Sequence, residues 1–160
     1  MPDTLDIRPL DGPDRERWIT ECARMLAASE PWITLRRTEA TAHGGISDSG
    51  QEAWVAIIGD EVVGFMLLVL HGALRGYLRT ICLAPGFRGR GLGTRMIRFA
   101  EERVFRDHPN MFLCVSSFNP DARRLYERLG YHFVGELTDF IVRGHSELLY
   151  RKTRGPLMPD

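Results

Sequence analysis

The feature that most constrains this chain is a glycine-rich turn placed directly between a predicted strand and a predicted helix. The turn reads Arg88-Gly89-Arg90-Gly91-Leu92-Gly93-Thr94 and follows an apolar run that ends at Leu83. Glycines at alternate positions let the backbone approach a ligand without steric conflict. The free N–H groups at the start of a helix, together with the helix dipole, attract an anion. The turn therefore predicts a backbone-lined seat for a pyrophosphate, with Arg88 and Arg90 at its rim.

Other phosphate-binding patterns fit this turn less well. A P-loop requires Gly-Lys-Ser/Thr, and no lysine follows Gly91 or Gly93. A dinucleotide-binding pattern beginning at Gly89 would need a third glycine where the chain has Thr94. A basic turn that binds no ligand is the alternative that the local pattern leaves open.

Composition narrows the class of protein. The chain has 160 residues, a charged fraction of 26% and a formal net charge of zero, which favours one globular domain with neither a nucleic-acid nor a membrane partner. The longest apolar run, 62–70, is too short to cross a bilayer. The first residues lack the pattern of a signal peptide, so we expect a cytoplasmic location. We expect residues 1–152 to form the domain and 153–160 to form a loosely packed tail.

Cysteine and histidine spacing argues against a metal site. The three cysteines are far apart and form no CxxC pair, and the five histidines lack metal-ligand spacing. No metal is predicted. Cys82 and Cys114 lie within apolar runs and are predicted to be buried, reduced thiols.

Hydrophobic periodicity and turn residues predict an α+β domain with a mixed sheet. Gly59-Asp60 separates two β-rich runs and predicts a hairpin, and Asn119-Pro120 predicts a helix start. Ser29 is placed to cap a helix beginning near Pro31, and the segment 43–51 is predicted to be a mobile loop. Strands are expected near 5–8, 53–58, 62–70, 77–83, 111–117, 131–137 and 146–152, and the longer helices near 13–28, 92–106 and 120–129.

Two segments resemble signatures of the GNAT superfamily of acetyltransferases. Arg88 to Gly93 resembles its Arg/Gln-x-x-Gly-x-Gly/Ala signature, and 119–131, which reads NPDARRLYERLGY, resembles its Asn-x-x-Ala-x-x-x-Tyr-x-x-x-Gly-Phe/Tyr segment. The order of predicted elements agrees along nearly the whole chain. The resemblance implies a mostly antiparallel mixed sheet of six to seven strands flanked by about four helices. It also implies a splay between the fourth and fifth strands.

The same resemblance implies acetyl-CoA as the cofactor. Its pantetheine arm would lie in the splay, bonded by main-chain groups of Ile81 and Leu83. The pyrophosphate would lie on the turn. Asn119 is implied either as a cofactor contact or as a helix cap only. The residues implied at the cofactor are Ile81, Cys82, Leu83, Arg88, Gly89, Arg90, Gly91, Leu92, Gly93, Thr94 and Asn119.

Tyr126 occupies the position that resembles the family's general acid, with a packed core aromatic as the alternative interpretation. The resemblance implies that its phenol protonates the leaving thiolate. Many relatives carry a basic glutamate on the fourth strand, but the corresponding run 77–83 contains no carboxylate. A base could therefore act through water from Glu30, His71 or Tyr77, or the acceptor amine could have a low pKa.

The resulting hypothesis is an N-acetyltransferase that transfers an acetyl group to a primary amine by direct attack in a ternary complex. The acceptor is a small molecule or a peptide, and Glu30, Trp32 and Phe140 are the candidates for binding it. A catalytically silent acyl-CoA-binding module of the same fold is the rival hypothesis. A nucleic-acid-binding surface around Arg88, Arg90, Arg95 and Arg98 is disfavoured, because no aromatic stacking pattern accompanies these arginines. An exposed edge near the last strands could support a homodimer.

Overall fold

The fold is organised by one sheet that continues through the whole chain. The computed structural model describes residues 4–160, and its strands are β1 Asp6–Pro9, β2 Glu52–Ile58, β3 Glu61–Val69, β4 Tyr77–Leu83, β5 Asn110–Ser116, β6 His132–Leu137 and β7 Glu147–Thr153. The seven strands lie in the order β1-β2-β3-β4-β5-β7-β6. The α-helices in the described residues are α1 Arg15–Ala27, α2 Glu39–Ile46, α3 Leu92–Phe105 and α4 Pro120–Arg128. The expected α+β class with a seven-stranded mixed sheet is confirmed.

Each face of the sheet carries its own hydrophobic core. Strand β3 is almost fully buried, and its side chains alternate between the two faces as the period of a strand requires. Met66 and Leu68 face the core that is covered by α3 and α4. Phe65 and Leu67 face the core that is covered by α1 and α2. We call these the α3/α4 face and the α1/α2 face.

The sheet opens between β4 and β5, which are its only parallel neighbours among the described strands. They pair at Tyr77 with Phe112 and at Leu78 with Leu113, and their pairing ends there. Strand β5 continues to Ser116 with β7 on its other side, while β4 continues to Leu83 against β3. The expected splay between the fourth and fifth strands is therefore present.

The second helix lies later in the chain than the sequence predicts. Residues 29–36 form a series of hydrogen-bonded turns, and α2 occupies part of the segment that was expected to be a mobile loop. The prediction was wrong because Thr38, rather than Ser29, provides the cap: Thr38 and Thr41 form a reciprocal capping box. The hydroxyl of Ser29 instead donates to the carbonyl of Met25 in the preceding helix.

The other elements agree closely with the pattern in the sequence. The Gly59-Asp60 turn joins β2 and β3, and the Oδ1 atom of Asn119 accepts a hydrogen bond from the amide of Ala122 at the start of α4. Strand β7 extends to Thr153, and the amide of Arg154 then donates to the carbonyl of Pro109. No helix within residues 4–160 is long and apolar enough to cross a membrane.

Candidate active site

The glycine-rich turn, residues 88–94, forms an open loop at the amino end of α3, which we call the phosphate loop. Gly89 and Gly91 have φ values of +72° and +76°, in the left-handed region that only glycine adopts at low cost. A Cβ atom added at Gly89, Gly91 or Gly93 would meet no other atom within 4 Å. The space beside all three glycines is therefore open.

Five amides of this loop remain available. Those of Gly89, Gly91, Leu92, Gly93 and Thr94 donate no hydrogen bond to another described residue, and the first helical bond here runs from Arg95 to the carbonyl of Gly91. Several donors at the positive end of a helix dipole are suited to an anion such as a pyrophosphate. Leu92 is buried and holds this end of α3 against the core.

The two arginines of the loop each contact a residue that precedes the loop. The Nε atom of Arg88 donates to the main-chain carbonyl of Leu83, with a donor–acceptor distance of 3.1 Å. The guanidinium of Arg90 lies over the ring of Phe87, with 5.3 Å between its Cζ atom and the ring centroid. Neither contact closes the loop, and both keep positive charge close to it.

The β4 edge of the splay leads into the phosphate loop. Ile81, Cys82 and Leu83 pair with β3 on one side, and β5 provides no partner for them on the other. Cys82 is directed into the core of the α1/α2 face, where burial raises the pKa of its thiol to about 12. The Cys82 thiol therefore does not face the splay.

Tyr126 lies on α4 and faces the α3/α4 side of the sheet. Its side chain is 7% exposed, and its ring packs edge-on against Tyr131 with 5.7 Å between the centroids. Burial raises the pKa of its phenol above the usual value, and its hydroxyl makes no hydrogen bond to another described residue. Tyr126 therefore keeps its proton at neutral pH and has no internal acceptor for it.

The candidates for an indirect base occupy separate places. Glu30 is engaged locally, since its carboxylate accepts from the amide and the hydroxyl of Thr34. The Nε2 atom of His71 lies 2.6 Å from the carbonyl oxygen of Gly50. Tyr77 lies at the closed end of the splay, and burial raises the pKa of its phenol. Of these three residues, Tyr77 is the one that lies on a strand of the splay.

Two further residues were proposed to bind the acceptor. Trp32 is partly buried and packs against the core of the α1/α2 face. Phe140, in the connection between β6 and β7, is 59% exposed. Phe140 thus has surface free for a ligand, while Trp32 has a packing role.

Tyr77, a candidate base in the sequence, belongs to a group of polar side chains that was not predicted, on the α1/α2 face of β4, β5 and β7. Its members are Tyr77, Cys114, Ser116 and Glu147, and we call them the Glu147 cluster. Ser116 and Glu147 are paired across β5 and β7, and the Ser116 hydroxyl donates to Oε1 of Glu147 over 2.7 Å. Burial raises the pKa of the Glu147 carboxyl, and the bond from Ser116 lowers it. Cys114 is only partly buried, contrary to the prediction, because it faces this cluster and not the core.

Strand periodicity was the available signal for this cluster. An acidic residue begins the apolar run Glu147-Leu148-Leu149-Tyr150, and alternation places it on the face opposite to the buried Leu148 and Tyr150. The register against β5, which brings Ser116 to its side, could not be read from the sequence. Within residues 4–160 there is no group of three or more acidic, His or Cys side chains arranged to hold a metal ion.

Two surface concavities lie away from the Glu147 cluster. One of about 830 Å³ lies between α1 and the β2–β3 hairpin. Another of about 380 Å³ lies between β1 and the first turns of α3. Neither contains Tyr126 or Glu147.

Comparison with known proteins identifies the family. The family model described as Acetyltransferase (GNAT) family matches residues 14–131. An N-acetylaspartate synthetase of Danio rerio is 31% identical over 114 residues, which are 68% of this chain and 37% of that protein. An acetyltransferase of Agrobacterium fabrum is 25% identical over 105 residues, 66% of this chain and 61% of that protein. The matches thus cover less than two thirds of the length of either curated relative.

Solved structures share the fold along almost the entire chain. An aminoglycoside 6′-N-acetyltransferase from Enterococcus faecium superposes with a TM-score of 0.71 at 20% identity, covering 97% of this chain and 99% of that one. A spermidine/spermine N-acetyltransferase from Vibrio cholerae has a TM-score of 0.69 at 21% identity, covering 94% and 95%. An aminoglycoside 6′-N-acetyltransferase complexed with coenzyme A has a TM-score of 0.73 at 20% identity, covering 97% and 99%. At these identities the likeness concerns the fold.

Proposed function

The chain belongs to the GNAT family of acetyltransferases, and from that premise we propose that it transfers the acetyl group of acetyl-CoA to a primary amine by direct attack. The observation that carries the proposal is the phosphate loop, with unbonded amides at the start of α3 and open space at its three glycines. The relatives described above are named for amines: an aminoglycoside, spermidine/spermine and aspartate. For this chain we propose a primary amine as the acceptor, without choosing any one of these compounds.

The residues of the loop and splay are suited to hold the cofactor. Amides of 89–94 would bind its pyrophosphate, with Arg88 and Arg90 adding charge at the rim. Main-chain groups of Ile81 and Leu83, on either side of Cys82, would bind its pantetheine arm along the free edge of β4, and Asn119 lies at the start of α4 beyond the end of β5. When bound, acetyl-CoA supplies an activated acetyl group as a thioester.

Tyr126 is proposed as the proton donor to the departing sulfur. Its burial supports this role, because a phenol with a raised pKa remains protonated at neutral pH. A positioned proton donor contributes roughly 10²- to 10⁴-fold to the rate. The amine must lose protons as it becomes an amide, and the sequence offered no direct base.

Cytoplasmic location and homodimer formation remain predictions from the sequence.

Two measurements on the wild-type protein test the proposal. Acetyl-CoA should raise the thermal midpoint, because a ligand that binds only the folded state stabilises it. Release of free thiol should follow when a panel of primary amines is added with acetyl-CoA. Stabilisation without thiol release for any amine would replace this proposal with the silent acyl-CoA-binding module. No stabilisation at saturating cofactor would contradict both functions.

A further inference from the structure

Glu147 is a buried carboxylate at the open end of the splay. Its side chain is 5% exposed, and it lies beside Ser116 at the carboxyl end of β5. Three residues earlier in β5, Leu113 marks the last pairing with β4. The β5 backbone next to Glu147 therefore borders the gap in which an acetyl group would lie.

Glu147 and Tyr126 lie on opposite faces of this gap. Leu148 and Tyr150 of β7 pack with Tyr126 in the core of the α3/α4 face, so Glu147 is directed to the α1/α2 face by alternation. An acceptor that enters from the α1/α2 face would reach the gap from the side opposite to the phenol. This arrangement leaves a separate group for each of the two proton transfers that acetylation of an amine requires.

Glu147 has no cationic partner among the described residues. Its hydrogen bond comes from the neutral hydroxyl of Ser116, and no Lys, Arg or His side chain forms an ion pair with it. Removing a carboxylate from water without a counter-charge is costly, so buried carboxylates are normally paired. The ionised carboxylate would thus lack a counter-charge, and an ammonium group is the complementary ligand.

The neighbouring titratable groups do not supply that positive charge. Tyr77 on β4 and Cys114 on β5 interact electrostatically with Glu147 and are neutral in their ordinary protonated forms. Arg79, also on β4, is directed to Gln51 and to Asp48, at 2.8 Å and 3.6 Å. The immediate surroundings of the carboxylate therefore supply no compensating positive charge.

We propose, building on the proposed function, that Glu147 binds the ammonium group of an alkylamine acceptor and accepts the proton that makes its nitrogen nucleophilic. In this step an N–H bond breaks, an O–H bond forms on the carboxylate, and the electron pair stays on nitrogen. Nitrogen then forms the C–N bond, the C–S bond breaks, and Tyr126 gives its proton to the departing sulfur. The second proton lost by nitrogen passes to the phenolate of Tyr126 and restores its hydroxyl. Glu147 returns its proton to water after the product leaves.

Burial makes this proton transfer feasible. In water an alkylammonium and a glutamic acid differ by roughly six pKa units. Desolvation raises the pKa of the acid and lowers that of the ammonium, since it disfavours both charged forms, so the gap narrows inside the site. The acceptor class that needs such a group is an amine that is protonated at neutral pH. An aromatic amine, already neutral in solution, does not need it.

The decisive variant is Glu147→Gln, with Glu136→Gln as the matched control. Glu136 lies on the adjacent strand β6, where its side chain is exposed. The probes are benzylamine and aniline. Calorimetry without cofactor should show benzylamine binding weakened by about tenfold or more in Glu147→Gln. Binding of acetyl-CoA and the behaviour of Glu136→Gln should match the wild type.

Turnover then separates a proton acceptor from a structural residue. At pH 7, kcat/KM for benzylamine should fall about 100-fold or more in Glu147→Gln and recover as the pH rises toward the pKa of the amine. In the same variant, kcat/KM for aniline should change little from the wild-type value. Unchanged benzylamine binding, or equal losses for the two amines, would overturn the proposal. If the wild type binds acetyl-CoA but acetylates no amine, the proposed function fails, and calorimetry alone decides whether Glu147 binds ammonium.

Ser116→Ala provides a second test that keeps the carboxylate. Since the bond from Ser116 lowers the pKa of Glu147, its loss should move the acidic limb of the kcat/KM profile for benzylamine to higher pH. An acidic limb that does not move would contradict the assignment even if Glu147→Gln folds poorly.

Discussion

The phosphate loop and the Glu147 cluster lie at the same splay but are built in opposite ways. The loop is contiguous, exposed and dependent on its backbone, because its amides and the absence of Cβ atoms create the site. The cluster is dispersed over three strands, largely buried and dependent on side-chain groups. Adding atoms should therefore damage the loop, whereas removing single polar atoms should damage the chemistry at the splay.

The largest effect is expected where a single oxygen is removed at the splay. Tyr126→Phe should lower kcat by roughly 10²- to 10⁴-fold, because the departing sulfur loses its proton donor. The affinity for acetyl-CoA should stay near the wild-type value, since the ring and its packing are retained. Turnover by thiol release and cofactor affinity by calorimetry are the two measurements.

Tyr131→Phe is the matched control for that variant. It removes the phenol oxygen from the aromatic ring that packs against Tyr126, where the hydroxyl lies 3.2 Å from the sulfur of Met111. Its kcat should remain close to that of the wild type. Similar losses in the two variants would make Tyr126 a packing residue and remove it from the mechanism.

The next effect concerns the closed end of the splay, on which both regions depend. A Cβ atom at Gly76 would lie 2.3 Å from the carbonyl oxygen of Asn110, and the φ value there is +91°. Gly76→Ala should therefore lower the free energy of unfolding by about 2–4 kcal/mol, from backbone strain and overpacking together. Urea unfolding measures the loss.

Gly72→Ala isolates the backbone contribution at this end of the sheet. Gly72 has a φ value of +83°, but an added Cβ would meet nothing within 4 Å. Gly72→Ala should therefore lower the free energy of unfolding by about 1 kcal/mol, from backbone strain alone. Equal losses in the two variants would show that the contact between 76 and 110 does not fix where β4 and β5 separate.

The contrast also explains what the sequence could predict. The phosphate loop and Tyr126 lie in continuous segments, so spacing alone placed each residue relative to its strand or helix. Glu147 and Ser116 are 31 positions apart and meet only through the register of β5 against β7. Long-range pairing of this kind is decided by packing of the whole sheet, which is why the cluster was missed.

The misplaced second helix has both a local and a tertiary cause. Gly44 and Gly45 favoured a loop, because glycine disfavours helices. The reciprocal cap between Thr38 and Thr41 and the burial of Ala42 and Ile46 outweigh that preference. Tertiary packing supplies most of the stability of a helix this short, and packing was not visible in the sequence.

A smaller effect is expected from adding a side chain to the loop. Gly91→Leu should weaken acetyl-CoA binding about tenfold or more, because the side chain enters the space expected for phosphate. Gly12→Leu is the control: its φ value of +74° and its open surroundings match those of Gly91, but Gly12 lies before α1. Calorimetry compares the two. Equal affinities of the two variants for acetyl-CoA would show that the loop does not bind the cofactor.

The smallest effect tests the cost of keeping Glu147 buried. Its folded-state pKa lies above its ordinary value, so protonation favours folding and the ionised carboxylate disfavours it. Glu147→Gln should therefore unfold at higher urea concentration than the wild type at pH 7–8, although it is the less active protein. This difference in stability should decline as the pH falls through the raised pKa of folded Glu147. It should vanish below pH of about 4.3, the pKa of a glutamate in the unfolded chain. Glu136→Gln should show no comparable gain. A stability difference that is independent of pH would mean that Glu147 carries no desolvation penalty. The phosphate loop and the Glu147 cluster would then no longer differ as an exposed backbone site and a buried charge.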